Sequence, residues 1–290
     1  MMPTSENQIK ALVRLLSDEN DRVAKTISDR LIEIGDSVVP FLQEAELEQP
    51  EMARRIEGIL DEIRGARLEE EFKDLASVSD EHIDLERGGF LIARYAYPVL
   101  DVGAYSRQLD DMAAEMRERI GWRVSGEEAI KALSRYLFTE QGFRGNSRNY
   151  YEADNSYLNR VLDRRTGIPI TLSVIYLLIG QRLGLPVFGI GMPGHFLVKF
   201  ESDRYKIFVD CFNGGALLTE KDCARFLRQA GYGFEERFLQ KSSSRAVLIR
   251  TLKNLVAIYH KLDDRVKEHR LTRFIKVLDG NKPRDCESSS

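Results

Sequence analysis

The 290-residue sequence has few of the residues from which disulfide frameworks and metal sites are built. It contains 3 cysteines and 4 histidines, and none of them shows a Cys-x-x-Cys or Cys/His ligand spacing. An odd, sparse cysteine count does not support a disulfide framework, and without a ligand spacing a structural zinc site is not expected. We therefore expect a reducing compartment, no metal and no other cofactor.

One-sided charge and long apolar runs are also missing. The 43 Lys and Arg residues balance 46 Asp and Glu residues, and the net charge of -3 argues against a nucleic-acid partner. The longest apolar stretch, residues 168–179, falls short of the roughly 20 residues that cross a bilayer. The N-terminus has no basic stretch followed by an apolar run, so no secretory signal is expected. These absences favour a cytoplasmic protein that binds neither nucleic acid nor membranes.

Apolar residues recur at helical spacing through residues 5–64. The clearest examples are residues 9–16 and 23–34, and Gly35 and Pro50 stand where a helix is expected to end and to begin. The pattern predicts four short amphipathic helices, which resemble stacked repeats of HEAT type.

The rest of the chain alternates helical patterns with one long loop and one strand-rich segment. The string FRGNSRNYYEADNSYL predicts a structured loop over residues 142–155, and IPITLSVIYLLIGQRLG predicts a helix that protein encloses on all sides. Three strand-like runs follow at residues 187–192, 195–200 and 205–211. Two further helices predict a C-terminal hairpin before the tail NKPRDCESSS, which is expected to be disordered.

The second and third strands predict a contact between a histidine and a carboxylate. If residues 201–204 connect the strands, Phe200 pairs with Tyr205, and the antiparallel register then places His195 opposite Asp210. Directly opposed residues share one face of the sheet, with Cβ atoms about 4.5–5.5 Å apart. We therefore expect the imidazole and the carboxylate to be within reach of each other.

A histidine held by a carboxylate beside the start of a buried helix is the arrangement used in Cys-His-Asp acyl transfer. The buried helix is followed by LGLP, PGHFLVKF and FVD, an order that resembles the transglutaminase-like superfamily over roughly residues 80–240. Within it, NSYLNRVLDRRTGIPITLSVIYLLIGQRLGLP and VDCFNGG are similar to the bacterial branch typified by the SirB invasion-regulator proteins.

The resemblance implies an α+β fold of the papain and transglutaminase type, in which a buried central helix packs on a small antiparallel sheet. N-terminal helical repeats and a C-terminal helical hairpin, similar to tetratricopeptide helices, are expected to flank it. We predict helical repeats at residues 1–64, a helical linker at 65–80, the transglutaminase-like domain at 81–241, the hairpin at 242–279 and a disordered tail at 280–290.

The sequence departs from the catalytic members at the position of the nucleophile. The resemblance implies a cysteine after Gly-x at the start of the central helix, where the helix dipole and the histidine lower the thiol pKa. This chain has Pro169 there, which suits a first helical turn but offers no nucleophile. We interpret His195 and Asp210 as a vestigial catalytic dyad.

Other residues near these motifs have a functional and a structural interpretation. Asn155, Arg165 and Gly194 are candidate binding residues because they lie in motifs that match the branch, and otherwise they are a turn asparagine, a solvated arginine and a turn glycine. Four side chains are alternative nucleophiles, although each also fits an ordinary role as a cap, a turn residue or a buried group: Thr166, Thr171, Ser173 and Cys211.

The first hypothesis is a non-catalytic transglutaminase-like protein that acts as a regulator or adaptor. It binds a protein or peptide partner through the cleft around His195, Asp210 and the 142–155 loop. The alternative is a hydrolase or acyl transferase that acts on an amide or peptide substrate, with a non-standard nucleophile and His195 as general base. Contact between one of the alternative nucleophiles and the imidazole would favour the enzyme.

Overall fold

The computed structural model describes residues 5–18, 20–121, 126–203 and 205–280. These residues fold mainly into helices: α1 Glu6–Arg14, α2 Asp21–Ile34, α3 Val39–Glu48, α4 Ala53–Ala76, α5 Leu85–Ala96, α6 Val102–Ile120, α7 Gly126–Arg135, α8 Leu158–Arg164, α9 Pro169–Arg182, α10 Glu220–Gln229, α11 Ser244–Lys261 and α12 Arg265–Gly280. They also form two small sheets with strands β1 Arg144–Gly145, β2 Thr166–Gly167, β3 Val187–Met192, β4 His195–Glu201, β5 Lys206–Asp210 and β6 Ala216–Leu218. The predicted disordered tail lies outside the described residues except for Gly280, the last residue of α12.

Contacts group the chain into two units, Met1–Glu71 and Phe72–Ser290, so that the boundary falls within α4. The first unit holds the four helices that the sequence predicts. Ser5 and Gln8 form a capping box at the start of α1, and Asn20 caps α2. The apolar faces of the helices meet in one core: Ile9, Val13, Leu16, Leu31, Leu42, Ile56, Ile59 and Ile63. The five-part division of the chain remains a prediction.

The fourth helix begins later than the sequence predicts. Pro50 opens a short 3-10 turn, Pro50–Met52, and α4 starts at Ala53. The difference is small because a proline with its fixed φ suits a 3-10 turn as well as a first α-helical turn.

Helix α9 is the buried helix of the second unit. It begins at Pro169, as predicted, and its residues are buried from Pro169 to Gly180 because nearly all of its faces are apolar. Gly180 allows close packing on the sheet, since a Cβ atom there would lie 2.7 Å from Val187 of β3.

The larger sheet is antiparallel with strand order β3-β4-β5-β6. The predicted pairing of Phe200 with Tyr205 is wrong, because Phe200 pairs with Ile207 and Glu201 pairs with Lys206. The register is therefore shifted by two residues. Since side chains alternate with a period of two, every side chain stays on the face that the sequence assigned to it.

The two faces of this sheet are covered by different helices. On one face a Cβ atom at Gly189 would meet both Phe196 and Leu177, so Phe196 faces α9. On the other face, α10 and the 3-10 turn Glu236–Leu239 cover a second apolar cluster: Ile190, Met192, Leu197, Phe208, Cys223, Leu227 and Leu239. His195 pairs with Met192 and therefore lies on the α10 side.

Helices α11 and α12 form the predicted C-terminal hairpin, and Arg245 anchors its base. The Arg245 side chain is only 1% exposed and donates hydrogen bonds to the backbone oxygens of Ala76, Val78 and Leu278 at 3.2, 3.0 and 2.6 Å. It also pairs with Asp80. One guanidinium thus satisfies carbonyl groups at the C-terminal ends of both α4 and α12, which have no partner within their own helices.

Candidate functional site

The structure brings His195 and Asp210 together. The imidazole Nε2 lies 2.9 Å from Asp210 Oδ2, and both side chains are almost fully buried. Continuing the observed register places Asp210 opposite Leu197, so the contact runs diagonally between β4 and β5. The predicted contact is confirmed, although the predicted direct opposition is not.

Asp210 also organises the turn that follows β5. Its Oδ1 accepts the backbone N–H groups of Phe212 and Asn213, both at 3.1 Å, and its Oδ2 accepts the Asn213 side-chain amide at 2.8 Å. Burial by itself raises the pKa of Asp210, but the bonds from His195 and Asn213 outweigh burial and hold the pKa below its usual value. Each oxygen of this carboxylate therefore already accepts two hydrogen bonds.

The His195 ring is enclosed by aromatic side chains. Its centroid lies 5.2 Å from that of Phe226 in α10 and 6.4 Å from that of Phe212. Phe212 also touches the β1–β2 pair, because a Cβ atom at Gly145 would lie 2.6 Å from it. Within the described part of the chain, nothing hydrogen-bonds Nδ1 of His195.

Arg250 of α11 stabilises the turn that connects β3 to β4, directly before His195. Its Nη2 donates to the backbone oxygens of Met192 at 3.0 Å and of His195 at 2.8 Å. Between these two residues, Gly194 has a φ of 72°, and a Cβ atom there would meet nothing within 4 Å. Gly194 is thus required by backbone conformation and not by lack of space.

Asn155 orders the long loop that the sequence predicts. It is fully buried, its amide donates to the backbone oxygens of Asn149 and Tyr150, and its Oδ1 accepts the amide of Asn146. Its own carbonyl accepts the N–H of Ile168, directly before α9. Asn155 therefore positions the loop relative to the start of the buried helix.

The ordered loop carries two tyrosines that extend the aromatic surface away from His195. The Tyr150 ring lies 5.9 Å from that of Phe212 and 5.3 Å from that of Tyr151, which is 62% exposed. Lys261, at the end of α11, places its Nζ 3.5 Å from the centroid of the Tyr151 ring. We call the strip formed by Phe212, Tyr150 and Tyr151 the aromatic track.

Arg165 belongs to a different neighbourhood from the dyad. It adopts a left-handed conformation with a φ of 54° after α8, and its guanidinium stacks over Phe143 and lies 3.7 Å from the sulfur of Met112. Burial lowers the pKa of Arg165. None of its contacts reaches His195 or Asp210, so the structure does not join Arg165 to the pair.

No alternative nucleophile contacts the imidazole within the described residues. The Thr166 hydroxyl donates to the backbone oxygen of Arg164, which makes it a turn residue. The hydroxyls of Thr171 and Ser173 are buried in α9 and make no hydrogen bond of normal geometry. Burial raises the pKa of the Cys211 thiol far above its usual value, an effect that the neighbouring Ser173 hydroxyl only partly offsets. A thiol in that state is a poor nucleophile.

Two residues of the site carry no signal that the sequence patterns could reveal. Phe226 and Arg250 come from α10 and α11, and each reaches His195 only through long-range packing. Asn213 had a local signal, because an aspartate followed two and three residues later by turn residues is typical of a side chain that caps its own turn.

Two other kinds of site are absent from the described ranges. No helix there combines the length and the apolar character that crossing a membrane requires. Those residues also contain no group of three or more His, Cys, Asp or Glu side chains placed to hold a metal ion.

Comparison with known proteins gives a family match over the site. A family model described as the transglutaminase-like superfamily matches residues 103–253. A UPF0162 protein of Xylella fastidiosa strain Temecula1 is 34% identical over 218 residues, which cover 73% of this chain and 78% of that protein. A UPF0162 protein of strain 9a5c is 36% identical over 194 residues, which cover 65% of this chain and 69% of its own length.

A eukaryotic protein shares a shorter segment. F-box only protein 21 of Homo sapiens is 37% identical over 110 residues, which cover 35% of this chain and 18% of that protein. No solved structure matches the chain.

Proposed function

The chain belongs to the transglutaminase-like superfamily, and from that membership we propose that it is a non-catalytic member that binds a protein or peptide partner. The partner surface consists of the aromatic track, with the His195–Asp210 pair beneath it and the 142–155 loop beside it. In this proposal the chain acts as a regulator or adaptor.

The observation that carries the proposal is the lack of a nucleophile beside an intact dyad. Pro169 occupies the start of α9, and none of the hydroxyl or thiol groups considered as substitutes contacts the imidazole. The covalent mechanism of Cys-His-Asp acyl transfer has no first step without such a group.

The exposure of the aromatic track supports binding. Tyr150 and Tyr151 are 36% and 62% exposed, while His195 beneath them is 7% exposed. Tyrosine is enriched where partners bind because it buries a large area with few rotatable bonds. We infer that the partner packs on the tyrosines and that His195 and Asp210 hold the supporting turn.

The enzymatic alternative rests on the state of the dyad itself. His195 keeps its hydrogen bond to Asp210, and its other ring nitrogen has no partner among the described residues, as a general base requires. A hydrolase or acyl transferase would have to bring a nucleophile to that nitrogen from the substrate or from water.

Finer assignments extend the proposal. We place the chain in the branch typified by the SirB proteins, regard α1–α3 and the first part of α4 as HEAT-like repeats, and regard α11 and α12 as tetratricopeptide-like. The domain boundaries at residues 64, 80, 241 and 279 and a cytoplasmic location belong to the same proposal.

A turnover assay separates the two functions. Purified chain is incubated with casein and a fluorescent primary amine, and separately with p-nitroanilide peptides, alongside His195→Ala and the matched histidine control His269→Ala, which is exposed. We expect none of the three proteins to convert either substrate faster than a reaction without protein. Turnover that His195→Ala abolishes and His269→Ala keeps would overturn the proposal in favour of the enzyme.

A capture experiment tests the binding surface. Immobilised wild type, Tyr151→Ala and Tyr232→Ala are compared, because Tyr232 is 46% exposed but lies outside the aromatic track. We expect some proteins to be retained by wild type and Tyr232→Ala but not by Tyr151→Ala. Each of these proteins is then purified and its binding is measured. Identical capture by all three would remove the aromatic track from the proposed function.

A further inference from the structure

Arg250 is a partly buried cation that has no carboxylate partner in the described part of the chain. Its two Nη2 hydrogens are used by the backbone oxygens of Met192 and His195, and no described carboxylate forms an ion pair with it. Burial lowers its pKa, and the phenol of Tyr150 is the group that acts against this effect. Guanidinium groups away from bulk water are normally paired, so Nε and Nη1, which make no hydrogen bond among the described residues, mark a place for an anion.

Lys261 lies at the other end of the aromatic track and also has no carboxylate partner among the described residues. Its ammonium group sits over the Tyr151 ring, and no described acidic side chain pairs with it. A cation over a tyrosine ring remains free to bind an anion from its open side.

The acidic groups nearby are already neutralised. Glu152 and Asp154 of the long loop pair with Arg164, and Asp154 also pairs with Arg160. The carboxylate oxygens of Asp210 already accept hydrogen bonds from His195 and from the turn that follows β5. Arg250 and Lys261 therefore remain beside the aromatic track as positive charges that no described carboxylate pairs with, on a chain whose net charge is -3.

The two free cations lie on one face of a single helix. Arg250 and Lys261 both belong to α11, and their separation of eleven residues is three turns, or about 16 Å. Asn254 and Ala257, at helical spacing between them, are short side chains on the same face. An extended peptide covers about 16 Å in about five residues.

We propose that the partner segment is an acidic peptide that lies in extended form along α11, with one carboxylate on Arg250 and a second about five residues away on Lys261. This inference rests on the proposed binding function and names the chemistry of its ligand. Two cations at a fixed separation favour acidic side chains within a segment over a single terminal carboxylate, which would satisfy only one of them.

A displayed library tests the inference with defined chemistry. Random twelve-residue peptides, attached through their C-termini so that only side chains supply carboxylates, are selected on immobilised full-length chain at about 50 mM salt, where surface charges are weakly screened. We expect enrichment of Asp or Glu at two positions about five residues apart. The most enriched peptide is then synthesised as an amide and its affinity measured by fluorescence anisotropy.

Three variants decide the result. We expect Arg250→Gln to weaken binding about tenfold or more, Lys261→Gln to weaken it about threefold, and Lys276→Gln on α12 to leave it unchanged. Because Arg250 also holds the turn at His195, its variant is checked by circular dichroism. The Lys261 side chain holds no backbone group of the described residues, so Lys261→Gln still tests the acidic-peptide inference if Arg250→Gln fails to fold.

Failure of the inference and failure of the proposed function give different results. Enriched peptides without excess acid that lose binding to Tyr151→Ala but not to Lys261→Gln or a folded Arg250→Gln would overturn the acidic ligand and leave the binding function standing. A selection whose products bind wild type, Tyr151→Ala, Lys261→Gln and a folded Arg250→Gln equally would overturn both.

Discussion

Asp210 hydrogen-bonds His195 at 2.9 Å even though the strand register places Leu197, and not His195, opposite it. The diagonal contact is possible because an imidazole is long enough to span the separation of diagonal neighbours, about 7–8 Å between backbones. Asp210 can meet the ring there while its other oxygen caps the following turn. The pair therefore fixes a strand and a turn together, whatever its role in binding or chemistry.

Replacement of Asp210 by asparagine should change how stability depends on pH. The folded-state pKa of Asp210 is lowered, so its carboxylate stabilises the fold above about pH 4 and loses that effect as the pH falls through the folded value. We expect Asp210→Asn to cost about 2 kcal/mol at pH 7, with a smaller difference from wild type below pH 4. Urea unfolding at a series of pH values measures both.

The matched control for this prediction is Asp203→Asn, which removes the same charge from an exposed position in the β4–β5 turn. Its free energy of unfolding should stay within about 0.5 kcal/mol of wild type at every pH. A gap between wild type and Asp210→Asn that stays constant down to pH 3 would contradict the assignment.

Truncation of Arg245 should cause one of the larger losses of stability in the second unit. Arg245→Ala leaves the carbonyl groups of Ala76, Val78 and Leu278 without their donor in a buried site, and we expect a cost of about 3 kcal/mol or more. Thermal unfolding followed by circular dichroism measures it. Arg225→Ala, at a side chain 66% exposed, is the control and should change little. Equal effects of the two variants would show that Arg245 is no anchor.

Two threonines that flank the start of α9 should respond to replacement by valine with opposite changes in stability. The hydroxyl of Thr171 is buried without a partner, so Thr171→Val should stabilise the protein by about 1 kcal/mol. The hydroxyl of Thr166 bonds the backbone oxygen of Arg164, so Thr166→Val should destabilise it by a similar amount. Guanidinium chloride unfolding of both variants is the measurement. A loss of stability in Thr171→Val would mean that its hydroxyl does have a partner.

Glycines of the same conformation should differ in their tolerance of alanine. Gly194 and Gly215 have φ values of 72° and 73°, but an alanine Cβ at Gly215 would lie 2.3 Å from Phe138, whereas none at Gly194 meets an atom within 4 Å. Gly194→Ala should cost about 1 kcal/mol from backbone strain alone. Gly215→Ala should cost clearly more, since Phe138 must move. A comparison of the two unfolding curves would reject this explanation if the order were reversed.

Features with a local cause could be predicted from the sequence. Proline opened α9 as expected, β3 occupies the predicted residues, and the contact between His195 and Asp210 is present. The predicted register was wrong by two residues, but the contact is still present because side chains alternate between the faces of a strand every two residues. Strand β6 was missed because three residues give too short a pattern.

Features with a distant cause could not be predicted. Arg250 reaches the carbonyl of His195 across 55 residues, and nothing in the sequence around it distinguishes it from other helical arginines. Arg165 illustrates the reverse, since its motif suggested the cleft but its side chain stacks on Phe143. Packing between elements decides both positions, and a single sequence does not contain that information.

The hydrogen bond from Arg245 to Ala76 joins residues 169 positions apart. During synthesis the carbonyl groups at the C-terminal end of α4 must therefore wait for their donor until most of the chain has left the ribosome, and the base of the hairpin stays open until then. Closing so long a loop is slow, and it comes near the end. A chain stopped before α11 should thus expose this base to proteases, while the finished chain protects it.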